Sequence, residues 1–272
     1  MTDLASRGRV RARRLRKPLL AVAAASMAAA LVAGCGGGSD SEPASAGPPP
    51  GTPLPEGAQL VQESSKTTQT LQSVHLDLLV ANIPGLPVES VSADVTNQPQ
   101  GAGQAIGEAK VRTEPDGPFI DSKFIVVDKT LYAQTGGASY APVGDAEKMY
   151  DPGVILDKDK GLANVLANVE NAKAEAREKI DGIDTVKVTG TIDAKVIDPI
   201  VPRVGENAGT MPITLWITDV APPTSEVSLP SQDASPGTGP NLVRAVVTKD
   251  SGTVTVTLSG WGKKVEVVKP QG

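Results

Sequence analysis

The sequence is poor in the residues that build cross-linked or reactive sites. Its 272 residues include one cysteine, Cys35, and one histidine, His75. A single cysteine excludes an intrachain disulfide, and a single histidine excludes a zinc site with two imidazole ligands. A catalytic triad would have to use His75, and no Gly-x-Ser-x-Gly motif supplies a nucleophile. We therefore predict that the chain is not an enzyme and has no catalytic residue, metal site or cofactor.

Aromatic residues are also scarce, with two Phe, three Tyr and two Trp in the whole chain. Aliphatic side chains and alanine must therefore fill the core almost alone. Two interpretations remain open: a hollow, aliphatic-lined interior that admits flexible chains, or a compositional bias towards Ala and Val.

The sequence has no apolar run of the about 20 residues that span a bilayer as a helix. A shorter apolar run at residues 19–33 follows seven basic residues and ends at the small pair Ala33 and Gly34, directly before Cys35. This pattern predicts a lipoprotein signal peptide over residues 1–34 and a diacylglycerol on the Cys35 thiol. The alternatives are an ordinary secretory peptide or a single transmembrane anchor. Residues 35–55, rich in Gly, Ser and Pro, are predicted to be a disordered tether.

Charge argues against a polyanionic partner. Residues 1–34 hold seven basic residues and one acidic residue, so removing them lowers the formal charge from −5 to about −11. Such a chain should not bind nucleic acid and gains little from anionic lipid headgroups. The predicted lipid on Cys35 would then hold it at the inner membrane, facing the periplasm-like space.

Residues 56–272 are predicted to form one α+β domain, expected to be monomeric. Residues 74–80 alternate apolar and polar side chains, which indicates a strand with His75 and Asp77 on its wet side. Helices are predicted at 56–71, 153–156, 161–171 and 192–197, and a long surface loop at 221–240. Further strands are predicted at 88–95, 103–113, 119–127, 130–134, 185–190, 213–218, 241–249 and 252–259, whereas 173–180 is interpreted as charged and exposed.

Two polar segments are weak candidates for ligand sites. Residues 157–161 (DKDKG) resemble the start of a calcium loop, but the glycine comes one position early and the later Glu is missing. We interpret this segment as a solvated turn before a helix. Residues 101–107 contain glycines but lie between strands without a following helix, so a phosphate-binding loop is not predicted.

Several segments resemble one family, the LprG/LppX lipoproteins of mycobacteria and their relatives, and within it LprG most. The resemblance runs from the Cys35 region to the C-terminus. It is carried by residues 83–86 (IPGL), 124–128 (FIVVD), 149–152 (MYDP), 161–175 (GLANVLANVENAKAE) and 258–265 (LSGWGKKV).

The resemblance implies a curved, mostly antiparallel half-barrel sheet with helices packed in its concave face, enclosing an apolar pocket. It also implies that the pocket carries triacylated lipids, such as triacylglycerols and lipoarabinomannan-type glycolipids, towards the outer envelope together with a major-facilitator-type exporter. The 221–240 loop is longer than this family leads us to expect.

Apolar positions of the sheet and the facing helix are the predicted pocket lining, with about half of them expected to be packed core. They are Leu76, Leu78, Val80, Val95, Ala109, Val111, Phe124, Val126, Val165, Leu166, Val169, Val186, Val188, Leu215 and Val256. Two other functions remain open: an interaction or structural lipoprotein that carries no lipid, and a lipid-modifying hydrolase.

Overall fold

The computed structural model describes residues 51–99, 103–114, 117–149, 151–220 and 238–271. Its strands are β1 (Ser73–Ala81), β2 (Val88–Thr96), β3 (Gln104–Val111), β4 (Ile120–Val127), β5 (Thr130–Thr135), β6 (Ala141–Asp145), β7 (Glu170–Ile180), β8 (Ile183–Asp193), β9 (Thr210–Thr218), β10 (Leu242–Lys249) and β11 (Gly252–Ser259). Its helices are α1 (Gly57–Gln69), α2 (Ala146–Met149), the 3₁₀ helix η1 (Pro152–Leu156), α3 (Leu162–Ala167) and α4 (Ala194–Ile197).

All eleven strands form one sheet in the order β6-β5-β4-β3-β2-β1-β11-β10-β9-β8-β7, and every neighbouring pair is antiparallel. The two strands at the ends of this order, β6 and β7, do not pair with each other, so the sheet is open. The pairing of β1 with β11 in the middle joins two meanders, one from each half of the chain. The predicted curved, mostly antiparallel sheet is confirmed.

The two faces of the sheet differ in chemistry. On β1, Leu76, Leu78 and Val80 are buried, whereas Asp77 and Leu79 between them are exposed. Because successive side chains of a strand point to opposite faces, the register carries this difference from strand to strand. We call the face that carries Leu76 and Leu78 the apolar face, and the opposite one the polar face.

Helices cover the apolar face. Helix α1 packs on α3, β7 and β9, while η1 packs on β2 and β3 and α4 on β8. Leu60 and Val61 of α1 and Val165 and Leu166 of α3 join the same buried cluster as the apolar strand residues. The amino end of α1 is capped by Glu56, whose carboxylate accepts a hydrogen bond from the Gln59 amide at 3.1 Å.

Five elements differ from the sequence prediction. Segment 173–180, interpreted as charged and exposed, belongs to strand β7, which pairs with β8 along its length. It is an edge strand, where charged side chains keep the open backbone edge from pairing with other chains. Strand β6 and helix α2 were not predicted. The helix predicted over 161–171 ends at Ala167, and the helix predicted over 192–197 begins only at Ala194, because Ile192 and Asp193 belong to strand β8.

None of the described helices is long and apolar enough to cross a membrane. The signal peptide, Cys35 and residues 36–50 of the tether lie outside the described residues, as do 221–237 of the predicted loop. Those predictions therefore stay predictions.

Candidate functional site

The residues predicted to line a pocket lie together under the helices. Twelve of the fifteen are buried in the main core cluster: Leu76, Leu78, Val80, Val95, Phe124, Val126, Val165, Leu166, Val186, Val188, Leu215 and Val256. Ala109 and Val169 are half-buried and pack against that cluster, and Val111 is half-buried at the end of β3. Their role as lining of a lipid pocket stays a prediction.

Helix α1 covers this core with small side chains. Seven of its residues are buried, but only Leu60 and Val61 carry large aliphatic groups. Most of the rest are hydroxyl residues, and Thr68 donates to the Ser64 carbonyl at 2.8 Å, within the helix itself. Ser65 donates to the Ala163 carbonyl of α3 at 2.8 Å. The Ser64 hydroxyl is buried and has no hydrogen-bond partner among the residues that the structure describes. The apolar area that α1 buries is therefore modest.

Short polar caps hold the segment between α2 and α3 in place. The Asp151 carboxylate accepts from the Gly153 amide at 2.8 Å and caps η1. Burial of this carboxyl raises its pKa, the Gly153 hydrogen bond lowers it, and the negative charge of Glu147 raises it, with a net upward shift. Asp157 accepts from the amides of Asp159 and Lys160 at 2.8 and 2.9 Å. The 157–161 segment is thus a turn before α3, as predicted.

The polar face carries an open groove of about 1020 Å³. It is lined by two rows of side chains that run across the strands, each residue opposite the next in the antiparallel register. The first row is Gln134, Lys123, Glu108, Ser92, Asp77, Thr257, Arg244 and Trp216. The second row is Asp121, Lys110, Ser90, Leu79, Thr255 and Val246.

This groove is not apparent from the sequence. The period-two alternation indicates which residues of β1 lie on the polar face. It does not indicate which polar residues of distant strands become their neighbours. Glu108 and Arg244, for example, share the first row although more than a hundred residues separate them in the chain.

Some side chains of the groove form ion pairs or hydrogen bonds with neighbouring side chains, and others do not. Arg244 Nη2 lies 3.1 Å from Asp181 Oδ2, Trp216 Nε1 donates to Glu178 at 2.7 Å, and Lys110 Nζ is 3.4 Å from Glu89. Among the described residues, no hydrogen bond or ion pair joins the side chains of Glu108, Asp121 or Lys123 to another group.

His75 lies on the polar face, as predicted, between two carboxylates. Its Nδ1 is 2.8 Å from Asp94 Oδ1 and its Nε2 is 3.6 Å from Asp77 Oδ2. Within the described ranges, no group of three or more His, Cys, Asp or Glu residues is arranged to hold a metal ion.

Comparison with known proteins places the chain in a family. The family model described as LppX_LprAFG lipoprotein matches residues 56–267. The putative diacylated glycolipid transporter LprF of Mycobacterium bovis is 50% identical over 250 residues, covering 92% of this chain and 90% of LprF. The lipoarabinomannan carrier protein LprG of Mycolicibacterium smegmatis is 39% identical over 245 residues, covering 89% of this chain and 92% of LprG. LprF thus shares more residues with this chain than LprG, which the sequence analysis had placed first.

Solved structures agree with the fold. The crystal structure of LprF from Mycobacterium bovis matches with a TM-score of 0.70 and 52% identity, covering 82% of this chain and all of that one. The structure of Mycobacterium tuberculosis LppX matches with a TM-score of 0.53 and 24% identity, covering 78% of this chain and 97% of LppX, and supports the fold alone. The chain therefore belongs to the LppX_LprAFG lipoprotein family.

Proposed function

We propose that this protein is a carrier of acylated glycolipids that holds their acyl chains between the apolar face of the sheet and the covering helices. The observation that supports it best is a wide aliphatic sheet face covered by short helices, in a chain 50% identical to a protein named as a glycolipid transporter. The proposed contact surface is the fifteen-residue lining predicted from the sequence.

Energetics favour such a surface for this cargo. Exposing acyl chains to water costs about 0.8 kcal/mol per methylene, so a carrier must offer an apolar lining of matching area. Making room for the chains requires α1 to move off the sheet. Because its buried residues are mostly small and the Thr68 hydroxyl is bonded within the helix, this movement exposes little apolar area and few unsatisfied polar groups.

The anchor and the cargo are separate in this proposal. A diacylglycerol on Cys35 would hold the protein at the membrane through the 35–55 tether, whereas the cargo chains would lie inside the 56–272 domain. We further propose cargo with three acyl chains and delivery in cooperation with a major-facilitator-type exporter. The name of LprF specifies a diacylated lipid, so the number of cargo chains is a direct outcome of the experiment below.

A lipoprotein that supports an exporter without carrying lipid is the second candidate. It is disfavoured because one relative is named as a glycolipid transporter and the other as a lipoarabinomannan carrier. A hydrolase is disfavoured because His75, the one histidine of the sequence, lies on the polar face and both of its ring nitrogens face carboxylates rather than a nucleophile.

The test is the lipid that co-purifies with a non-acylated protein lacking residues 1–35. Solvent extraction and mass spectrometry should yield about one acylated lipid per protein. Ala109→Trp puts an indole on the apolar face beside Val91 and should abolish this loading.

Ile106→Trp is the matched control, because it places the same side chain on the same strand but on the polar face, where Ile106 is already partly exposed. It should leave loading unchanged. An absence of lipid from the unmodified protein would favour the interaction role, and equal loading of both variants would refute the proposed lining.

A further inference from the structure

We propose that the groove on the polar face is a carbohydrate-binding site, distinct from the acyl-binding surface on the other side of the sheet. It would take a short, uncharged oligosaccharide laid across the strands. A free saccharide suffices as ligand, so this proposal does not rest on the lipid-carrier function.

The groove has the length and volume of a binding site for several sugar units. The first row crosses eight strands, from Gln134 on β5 to Trp216 on β9. At about 4.8 Å per strand this is roughly 34 Å along the sheet, and the second row runs about 7 Å beside it. The volume of about 1020 Å³ is at the upper end of the range for small-molecule sites.

The balance of charge indicates an uncharged ligand. Three acidic side chains (Asp77, Glu108 and Asp121) and three basic ones (Lys110, Lys123 and Arg244) line the groove. With no excess of either sign, the groove gives no net attraction for a nucleic acid, an anionic lipid surface or a metal ion. A polyol, in contrast, both donates and accepts hydrogen bonds at every hydroxyl.

Free polar groups are available for such hydrogen bonds. Glu108 on β3 faces Lys123 on β4, and Lys110 faces Asp121 in the neighbouring row, yet neither cross-strand pair is closed into an ion pair. Hydroxyls from Ser90, Ser92 and Thr255 line the middle of the groove, together with that of Thr257, which accepts a hydrogen bond from Arg244 Nε at 3.2 Å. Charged acceptors and donors form the stronger hydrogen bonds, and here they lie on both sides of a hydroxyl-lined floor.

Apolar surface suited to a sugar ring lies among these polar groups. Leu79 is 52% exposed although it lies at the centre of the sheet, and Val246 is its near neighbour in the second row. Trp216 ends the first row, with its indole N–H held by Glu178 at 2.7 Å. Lys187 Nζ lies 5.9 Å from the centre of this ring, so the C–H face of a pyranose would pack on the part of the indole that lines the groove.

The experiment titrates the full chain with free α-linked mannotriose and follows binding by calorimetry, in a detergent without a sugar headgroup. We expect saturable binding with a Kd of about 1 mM. The double variant Glu108→Gln, Asp121→Asn keeps the side-chain shapes and should weaken binding about tenfold, as should Trp216→Ala. Trp261→Phe, outside the groove, is the control and should bind as the unmodified chain does.

The outcomes separate the two proposals. Val111→Trp should lose lipid but keep mannotriose binding, because residue 111 is on the apolar side of the sheet and does not line the groove. The carbohydrate site is refuted if mannotriose, an arabinose trisaccharide and a glucose trisaccharide all fail to bind. It is also refuted if the Glu108 and Asp121 double variant binds mannotriose as tightly as the unmodified chain.

Discussion

At the scale of single residues, Arg177 joins three separate parts of the described chain. From edge strand β7 its Nε contacts Asp219 Oδ2 at 2.5 Å, while Nη1 and Nη2 donate to the carbonyls of Thr52 and Pro53 at 2.6 and 3.0 Å. The Asp219 side chain is 6% exposed, so little water can replace Arg177 as the partner of its carboxylate. Arg177 thereby holds the segment that leads into α1 against the sheet.

Arg177→Ala should lower the free energy of unfolding by about 2–3 kcal/mol, because it leaves a nearly buried carboxylate unpaired. Urea unfolding followed by circular dichroism measures the change. Arg203→Ala removes an exposed ion pair to Glu206 and should cost less than about 0.5 kcal/mol. Similar losses in the two variants would show that the Arg177 pair is no more valuable than a surface contact.

The buried Asp151 carboxyl leads to a prediction about how stability depends on pH. Burial raises the pKa of its carboxyl above the value in the unfolded chain, so the protonated form is favoured by folding. The stability that this carboxyl contributes is fully present below its pKa in the unfolded chain, near 3.9. It is lost as the pH rises through its pKa in the folded protein. Asp151→Asn keeps an acceptor for the Gly153 amide without the charge, and should therefore be more stable than the unmodified protein at pH 7.

This advantage of Asp151→Asn should disappear below about pH 3.5, where the aspartate is protonated in both states. Denaturant midpoints between pH 3 and 7 provide the measurement. Asp193→Asn, the same exchange at the exposed cap of α4, is the matched control. A pH-independent difference between the Asp151 variant and the unmodified protein would contradict the assigned cause.

At the scale of secondary-structure elements, the start of α3 depends on Gly161. A Cβ added at Gly161 would lie 2.5 Å from each of the carbonyl oxygens of Val154, Ile155 and Asp157. These carbonyls belong to η1 and the turn that follows it. The close approach of the two helices therefore requires glycine at this position, which lies in one of the segments that carry the family resemblance.

Gly161→Ala should destabilise the protein by about 2 kcal/mol or more, since backbone must shift to admit the methyl group. Gly209→Ala is the control, because a Cβ there meets no atom within 4 Å, and it should change stability by less than about 0.5 kcal/mol. Thermal unfolding of the two variants compares them directly. A neutral Gly161→Ala would mean that η1 and α3 are not held at this distance.

Local pattern decided which elements could be predicted. Strand β1 and the β10–β11 hairpin show clear period-two alternation and were found nearly to the residue. Strand β7 was missed because its alternation is between charged and small residues, and its stability comes from backbone pairing with β8. The helix predicted over 161–171 was too long because Val169 continues the apolar spacing of a helix. In the structure the chain enters β7 at this point.

At the scale of the whole molecule, the sheet separates two surfaces of opposite chemistry. The apolar residues could be identified from the sequence because each is marked by its own hydrophobicity. The groove could not, because its rows arise only when strands from the two halves of the chain meet at the β1–β11 pairing. Register at the centre of the sheet is a long-range property that no local pattern encodes.

Carriage of acyl chains on the apolar face requires the helical layer to part from the sheet. Ser65 of α1 contacts the Ala163 carbonyl of α3, so a disulfide between Ser65→Cys and Ala163→Cys should tie the two helices together. In a non-acylated protein without Cys35, no other thiol competes. We expect the oxidised form to exchange lipid with vesicles at least tenfold more slowly than the reduced form, measured with a fluorescent acylated lipid.

A second cysteine pair distinguishes movement of the helices from general stiffening. Thr248 and Thr253 face each other across β10 and β11, so a disulfide there links two strands and no helix. It should leave lipid exchange unchanged. If the α1–α3 disulfide also leaves exchange unchanged, parting of α1 from α3 does not limit the entry of the acyl chains, which contradicts this movement of the helical layer.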